Sequence, residues 1–257
     1  MSIDIREDAA RFYDLNPGFP DDIPFYFQRI PGSQARILEL GCGTGRVTLA
    51  LAHHCSLIYG IDLSEAMVAL CHEKLDLAAV PAGRVVLQVG DITAFDLGQK
   101  FDFIIAPFRV LQNLETDAEV DGLFDCLHRH LAPGGACILN VFNPNRDREA
   151  MRRSWCSDVE NLDWQSPVQD GRVAGYSRRP RMDADRMVLY PELIYRRFEG
   201  EILKKEAVLK IVMRCYYPDE FEAMVNGHGF RVTGRWGGYS GEEYGKGPEL
   251  VLQFEEE

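Results

Sequence analysis

The glycine-rich segment at residues 37–47, ILELGCGTGRV, constrains the fold of this chain more than any other feature. An apolar run ends there in three alternating glycines, Gly41, Gly43 and Gly45, and a helical pattern follows directly. Glycine allows a tight turn and lets a ligand lie against the main chain. A strand, a glycine loop and a helix in this order predict the first βα unit of an open α/β sheet, which binds ligands at the carboxyl ends of its strands.

The same alternation of strand and helix continues as far as residue 145. Apolar runs at 56–62, 85–91, 101–107 and 136–142 predict four more strands. Before the last of them, apolar residues from Val120 to Leu131 recur at helical spacing and predict an amphipathic helix. This pattern is typical of a doubly wound α/β fold, in which helices cover both faces of a parallel sheet.

The pattern changes after Asn145. Residues 146–170 show weak periodicity, whereas 172–217 contain period-2 runs that predict antiparallel strands. A helix beginning at Pro218 and two further strands then restore the α/β pattern. We therefore expect an N-terminal helical segment at 1–34, an α/β core at 35–145 and 218–257, and a β-rich insert at 146–217.

Charge and cysteine content exclude several classes of function. The net charge of −12, from 40 acidic and 28 basic residues, disfavours binding to nucleic acids and to anionic membranes. The seven cysteines form no CxxC pair, which favours a reducing, cytoplasmic location over a disulfide framework. Because no His, Cys or carboxylate cluster has the spacing of metal ligands, we expect no metal. For the arginines of the insert, surface ion pairs and contacts with an anionic acceptor both remain open.

The residues around the glycine loop argue against a dinucleotide. A dinucleotide fingerprint requires glycine or alanine at position 46, where this chain has Arg46. Glu39 precedes the loop, and its carboxylate would repel a diphosphate but suits a ligand with an ammonium group. We therefore expect neither NAD nor FAD to bind.

Two further acids extend this ligand site. Asp62 ends the second strand, where a carboxylate accepts hydrogen bonds from both ribose hydroxyls. Asp91 ends the third strand and can accept from the amine of an adenine, or cap the segment that follows it. An amino acid, a ribose and an adenine in succession describe S-adenosyl-L-methionine.

These segments resemble the class I S-adenosylmethionine-dependent methyltransferases. The matching pieces are LELGCGTGR, GIDLS, VGDIT, FDFIIAPF and LAPGG, in the order of that family. The chain is most similar to bacterial small-molecule methyltransferases that have an FYD-like start, an APFR-like strand end and a β insert before a YYPDEFE-like helix. The resemblance implies a Rossmann-like, mostly parallel seven-stranded sheet with a final antiparallel strand.

The resemblance also assigns a binding site for the methyl donor, whose product is S-adenosyl-L-homocysteine. We expect the donor to contact the glycine loop and its flanks, with Leu63, Met67 and Ile92 around the adenine. The Ala106 carbonyl is expected at the ammonium group of the donor, and Phe108 directly beside the donor. In similar enzymes an N-terminal segment closes over the site. In this chain that segment contains Tyr13 and Tyr26, which are expected either to contact the donor or to pack in an aromatic core. The predicted set is Tyr13, Tyr26, Glu39, Gly41, Cys42, Gly43, Gly45, Arg46, Asp62, Leu63, Met67, Asp91, Ile92, Ala106 and Phe108.

The acceptor side is less constrained. Arg109 follows the fourth strand and either holds an acceptor carboxylate or pairs with a nearby acid. Tyr13, Gln112 and Asn113 are the other acceptor-side candidates. Asn113 stands where many relatives carry histidine, so we assign no general base.

The sequence therefore predicts methyl transfer to an N or O nucleophile of a small molecule. Three alternatives remain open: an RNA methyltransferase, a protein methyltransferase, and a non-catalytic module that binds S-adenosylmethionine. The edge strands of the insert also allow a homodimer.

Overall fold

A computed structural model describes residues 7–257, which form two compact units. The α/β unit holds residues 20–145 and 215–257, and the antiparallel unit holds residues 7–19 and 146–214. The predicted N-terminal segment 1–34 is thus divided between the units after residue 19. Residues 1–6 of that segment lie outside the described residues.

The α/β unit contains a seven-stranded sheet of order β11-β12-β5-β4-β1-β2-β3. Strand β12 runs antiparallel to both of its neighbours, whereas β1 to β5 pair in parallel. The expected fold class is therefore confirmed. The strands are β1 (Arg36–Leu40), β2 (Leu57–Asp62), β3 (Val85–Val89), β4 (Phe101–Ala106), β5 (Leu131–Phe142), β11 (Phe230–Trp236) and β12 (Glu249–Glu256).

Helices cover both faces of this sheet. Two consecutive residues of β1, whose side chains point to opposite faces, are both buried. Leu38 belongs to a buried cluster with Phe124 and Phe221, and Ile37 belongs to a second cluster with Leu51. Because β1 to β4 run parallel, their carboxyl ends meet at one edge of the sheet. This is the edge where ligands bind in such sheets. The helices of this unit are α2 (Ile23–Phe27), α3 (Arg46–Leu51), α4 (Glu65–Leu77), α5 (Asp117–His130) and α7 (Pro218–Gly227), with 3₁₀ turns at Ala52–His54 and Val110–Asn113.

The antiparallel unit is a five-stranded sheet in which β7 lies between β6 and β8, while β9 and β10 both pair with β8. Phe12 of the first helix packs on one face of it, with Val173, Tyr195 and Leu209. Its elements are α1 (Glu7–Tyr13), α6 (Arg148–Ser154), β6 (Ser157–Val168), β7 (Gly171–Asp183), β8 (Val188–Glu199), β9 (Ile202–Lys210) and β10 (Met213–Arg214).

The structure contains a strand, β6, within residues 146–170, where the sequence analysis assigned no element. Most of its residues are exposed, so it has no regular alternation of buried and exposed side chains. Backbone pairing with β7 holds this strand in place, and side-chain patterns do not report such pairing.

Candidate functional site

The three glycines of the loop between β1 and α3 have different structural roles. Gly41, Gly43 and Gly45 all have positive φ angles, of 69°, 54° and 85°, a region that other residues rarely adopt. A Cβ atom at Gly41 would clash with Val110, and one at Gly45 would clash with the Cys71 sulfur. A Cβ at Gly43 would have no described heavy atom within 4 Å. Gly43 therefore borders open space at the ligand-binding edge.

Asp62 connects the end of β2 to this loop. One carboxylate oxygen accepts a hydrogen bond from the Gly43 N–H at 2.8 Å, and the other accepts from the Ser64 N–H at 2.9 Å. Its side chain is buried, whereas its neighbour Leu63 is 72% exposed. An oriented carboxylate beside an exposed apolar side chain is what a ribose joined to an adenine requires.

The other residues predicted near the adenine lie at the same edge of the sheet. Asp91 is exposed and accepts hydrogen bonds from the N–H and the hydroxyl of Thr93, at 2.8 and 2.7 Å. This is the capping arrangement, and it occupies one oxygen, Oδ1. Met67 is buried, and Ile92 packs partly buried against the core.

Glu39 points from β1 toward α3. Its carboxylate accepts a hydrogen bond from the Thr48 hydroxyl at 2.5 Å and is 2% exposed. Burial raises the pKa of Glu39 to about 8, against a smaller opposite effect of the Thr48 hydrogen bond. This carboxyl group can therefore hold a proton near neutral pH, and an ammonium group beside it would favour release of that proton.

Arg46 and Tyr26 belong to the packing around the loop. Arg46 forms a two-fold ion pair with Asp22, a fully buried carboxylate, at 2.5 and 2.8 Å. Tyr26 is also fully buried and packs against Phe25 and Tyr239. For Tyr26 the structure thus has the core packing that was the alternative to ligand contact.

Cys42 has an inert side chain. It is buried against Gly60, and burial raises the pKa of its thiol. Its backbone N–H donates to the Ile61 carbonyl at 3.0 Å.

The turn after β4 is the strained part of the site. Ala106 is buried, and the next non-proline residues, Phe108 and Arg109, have φ angles of 57° and 68°. Non-glycine residues in this region cost about 1–2 kcal/mol each, and such strain is concentrated at functional sites. Asn140 holds the turn by accepting the Arg109 N–H at 3.1 Å.

The Arg109 side chain is engaged within the protein. It donates to Glu249, at 3.0 Å from Nε and more closely from a terminal nitrogen, and Glu249 is 6% exposed. Asn140 also donates to Glu249, at 2.9 Å. Arg109 therefore forms the ion pair with a nearby acid that was one of its two expected roles.

The remaining acceptor-side candidates have contacts within their own units. Gln112 is fully buried, and its side-chain oxygen accepts the Phe142 N–H at 2.8 Å, which gives it a structural role. Asn113 is exposed and donates to the Val110 carbonyl at 3.2 Å. Tyr13 belongs to the antiparallel unit, where its ring lies 5.0 Å from that of Phe19.

Several polar partners at the site were not predicted from the sequence. Thr48, Asp22, Asn140 and Glu249 orient Glu39, Arg46 and Arg109. Of these four residues, only Thr48 could have been connected to its partner from the sequence, because it lies in the first turn of α3, nine residues after Glu39. Asn140 and Glu249 are far away in the sequence, and no spacing rule connects them to Arg109.

Several arginines of the antiparallel unit form ion pairs within it. Arg196 pairs with Glu160 and Glu206 at 2.7 Å each, Arg178 pairs with Glu192, and Arg172 with Glu201. These contacts favour the ion-pair interpretation over contacts with an anionic acceptor. Within residues 7–257, no group of three or more His, Cys, Asp or Glu side chains is arranged to hold a metal. No helix in that range is long and apolar enough to cross a membrane.

Comparison with known proteins points to one family. The profile of a family described as a methyltransferase domain matches residues 37–135. An uncharacterized methyltransferase of Geobacillus kaustophilus is 33% identical over 161 residues, which are 59% of this chain and 71% of the relative. The dTDP-3-amino-3,4,6-trideoxy-alpha-D-glucopyranose N,N-dimethyltransferase of Streptomyces venezuelae is 26% identical over 206 residues, 80% of this chain and 79% of the relative.

A solved structure extends the similarity to both units. The CcbJ methyltransferase of Streptomyces caelestis has a TM-score of 0.79 at 22% identity, with 98% of both chains covered. Some curated relatives match over less of their length: the chain spans about half of YqeM of Bacillus subtilis, 54%.

The fold and the glycine-loop site together define a Rossmann-like methyltransferase. The chain belongs to the class I S-adenosylmethionine-dependent methyltransferases, which confirms the resemblance seen in the sequence. S-adenosylmethionine is the cofactor of this family.

Proposed function

We propose that this protein transfers methyl groups from S-adenosylmethionine to a small molecule, and that the accepting atom is the amine nitrogen of a sugar. The observation that carries methyl transfer is the open space beside Gly43, next to the oriented Asp62 carboxylate and the exposed Leu63. The sugar amine is supported by the Streptomyces venezuelae relative, an amino-sugar N,N-dimethyltransferase that matches over four-fifths of both chains.

In this reaction the main task of the protein is to position the methyl donor and the acceptor. The sulfonium of S-adenosylmethionine is already activated, so the enzyme aligns the acceptor for in-line displacement and excludes water. A neutral amine attacks the methyl carbon, the C–S bond breaks toward sulfur, and the new ammonium then loses a proton. The residues that orient the methyl donor are Asp62, through the ribose, and Glu39, through the ammonium group.

Incubation with labelled S-adenosylmethionine tests the proposal. We expect label in a dTDP-3-amino-sugar, with one and then two methyl groups added, and none in the matched dTDP-sugar that carries a hydroxyl at the same position. Label in stripped tRNA or in ribosomal protein instead would favour the macromolecular alternatives. Binding of S-adenosylhomocysteine without any transfer would favour a non-catalytic module.

Further proposals concern the setting of this activity. We propose a cytoplasmic location, supported by seven cysteines that are all free. We propose a reaction without nucleic acid, supported by the net charge of −12, and without metal, supported by the arrangement of His, Cys, Asp and Glu side chains within residues 7–257. We also propose the 146–217 insert as the acceptor cap and a homodimer as the assembly. Sedimentation tests the homodimer. The acceptor cap is tested with variants of the insert, which should change the KM for the acceptor and leave the affinity for S-adenosylhomocysteine unchanged.

A further inference from the structure

A cavity of about 350 Å³ lies within the antiparallel unit, and its described lining residues are not among those assigned to the methyl donor. Residues 16–18, which follow α1, form one side of it. Strands β6, β7 and β8 form the other side, with Asp163, Trp164 and Tyr195 among the lining residues. This volume is sufficient for a small organic group.

The strand register explains why the cavity has aromatic walls. Trp164, Gly175 and Tyr195 lie directly opposite one another on three neighbouring strands. A Cβ at Gly175 would clash with the Trp164 indole, so the absence of a side chain there lets the indole lie over the backbone of β7. The rings of Trp164 and Tyr195 are 6.1 Å apart and inclined at 50°.

Packing holds these rings in position. Tyr195 is 3% exposed and stacks on Phe12 at 6.2 Å, within the cluster under α1. Trp164 is partly buried against the same cluster. The aromatic walls are therefore preorganised, which reduces the entropic cost of binding a ligand.

The charge of the cavity selects among possible ligands. Asp163 is the one charged side chain among the described lining residues, and it is exposed. Its carboxylate accepts a hydrogen bond from the Ser177 hydroxyl at 3.1 Å. A carboxylate beside aromatic faces disfavours phosphates and carboxylates but attracts organic cations, since cations bind to the faces of such rings.

We propose that this cavity binds the ammonium group of an organic amine, with the Trp164 ring as its aromatic wall, the buried Tyr195 ring as the support of that wall, and Asp163 as its counter-charge. Trp164 contributes the stronger ring contact, because indole is the best cation–π partner. The inference does not depend on methyl transfer, because it uses none of the residues assigned to the methyl donor.

Choline chloride is the probe, titrated into the full-length ¹⁵N-labelled protein. The indole N–H signals of Trp155, Trp164 and Trp236 report binding separately, and Trp164→Phe identifies the signal of Trp164. We expect a saturable shift of that signal with choline and none with sodium chloride at equal ionic strength. The neutral isostere 3,3-dimethyl-1-butanol should bind at least about fivefold more weakly, the scale of an exposed cation–π contact.

Asp163→Asn should weaken choline binding about fivefold, the upper range for an exposed charge pair, and leave binding of the isostere unchanged. Asp158→Asn, another exposed acid of β6, is the matched control and should leave choline affinity unchanged. The two unperturbed indole signals show that each variant is folded.

Three results would overturn the proposal: no saturable shift with choline, equal affinity for choline and its isostere, or an Asp163→Asn variant with unchanged affinity. Tighter binding of uridine than of choline would also overturn it and would indicate a site for planar heterocycles. None of these readouts depends on methyl transfer.

Discussion

The Asp62 carboxylate accepts the Gly43 N–H across 2.8 Å and so joins the end of β2 to the glycine loop. With the Ser64 N–H donating to its other oxygen, both oxygens are oriented by main-chain groups at the carboxyl end of β2. A carboxylate in this place accepts hydrogen bonds from the hydroxyls of a ribose.

Asp62→Asn should therefore weaken S-adenosylhomocysteine binding by about 1.5–3 kcal/mol, the range for hydrogen bonds to a charged group. Isothermal titration calorimetry measures the change. Asp76→Asn removes the same charge from an exposed position on α4 and should bind like the wild type. Equal affinity of the two variants would remove Asp62 from the ribose site.

Gly43 and Gly45 should respond differently to alanine. Both substitutions place a side chain in left-handed backbone, at about 1–2 kcal/mol each. At Gly45 the clash with Cys71 adds about 1–3 kcal/mol of overpacking, so Gly45→Ala should lose more thermal stability. Gly43→Ala should lose more affinity for S-adenosylhomocysteine, at least about tenfold or 1.4 kcal/mol, since its methyl group enters the open space. The opposite ranking in melting and calorimetry would contradict these roles.

Glu39 should make stability depend on pH. Burial raises its pKa from 4.5 to about 8, so between these values the folded protein keeps a proton that the unfolded chain releases. Its contribution to the free energy of unfolding therefore falls as pH rises through this window and is constant on either side. Glu39→Gln cannot ionise, so its stability relative to wild type should increase from pH 5 to pH 8 in urea denaturation.

The Thr48→Val variant tests the pH dependence of stability over the same pH range. The Thr48 hydroxyl lowers the pKa of Glu39 by hydrogen bonding to the ionised form. Its removal should extend the fall in stability to higher pH. A difference between Glu39→Gln and wild type that is the same at every pH would show that Glu39 is not buried as described.

Arg109→Gln should destabilise the protein, because it leaves the nearly buried Glu249 without its cation. We expect a loss of about 2–3 kcal/mol, below that for a fully buried pair, because the Arg109 side chain is 33% exposed. Arg235→Gln breaks the more exposed pair with Glu222 and should cost about 0–1 kcal/mol. Urea denaturation compares the two variants.

A second substitution shows whether the unpaired charge of Glu249 causes the loss of stability. Glu249→Gln in the Arg109→Gln background removes the unpaired charge and should recover much of the lost stability. If the double variant is as unstable as the single one, the loss comes from the strained turn at Phe108 and Arg109 rather than from the charge.

The sequence by itself determined the α/β pattern, the glycine loop and the positions of Glu39, Asp62 and Asp91 at strand ends. These features are local, since strand and helix periodicity and the left-handed backbone at Gly41, Gly43 and Gly45 depend on neighbouring residues. The strand ends follow from the pattern as well, because parallel strands bring their carboxyl ends to one edge.

Only the tertiary structure decided which polar groups are partners and which side chains are buried. Arg109 pairs with an acid 140 residues away, and Gln112 and Tyr26, predicted to face ligands, are fully buried. Strand β6 and the assignment of residues 7–19 to the antiparallel unit were also decided there. The physical reason is that burial and pairing depend on which surfaces meet after the chain folds, and the spacing of residues along the sequence carries no information about distant surfaces.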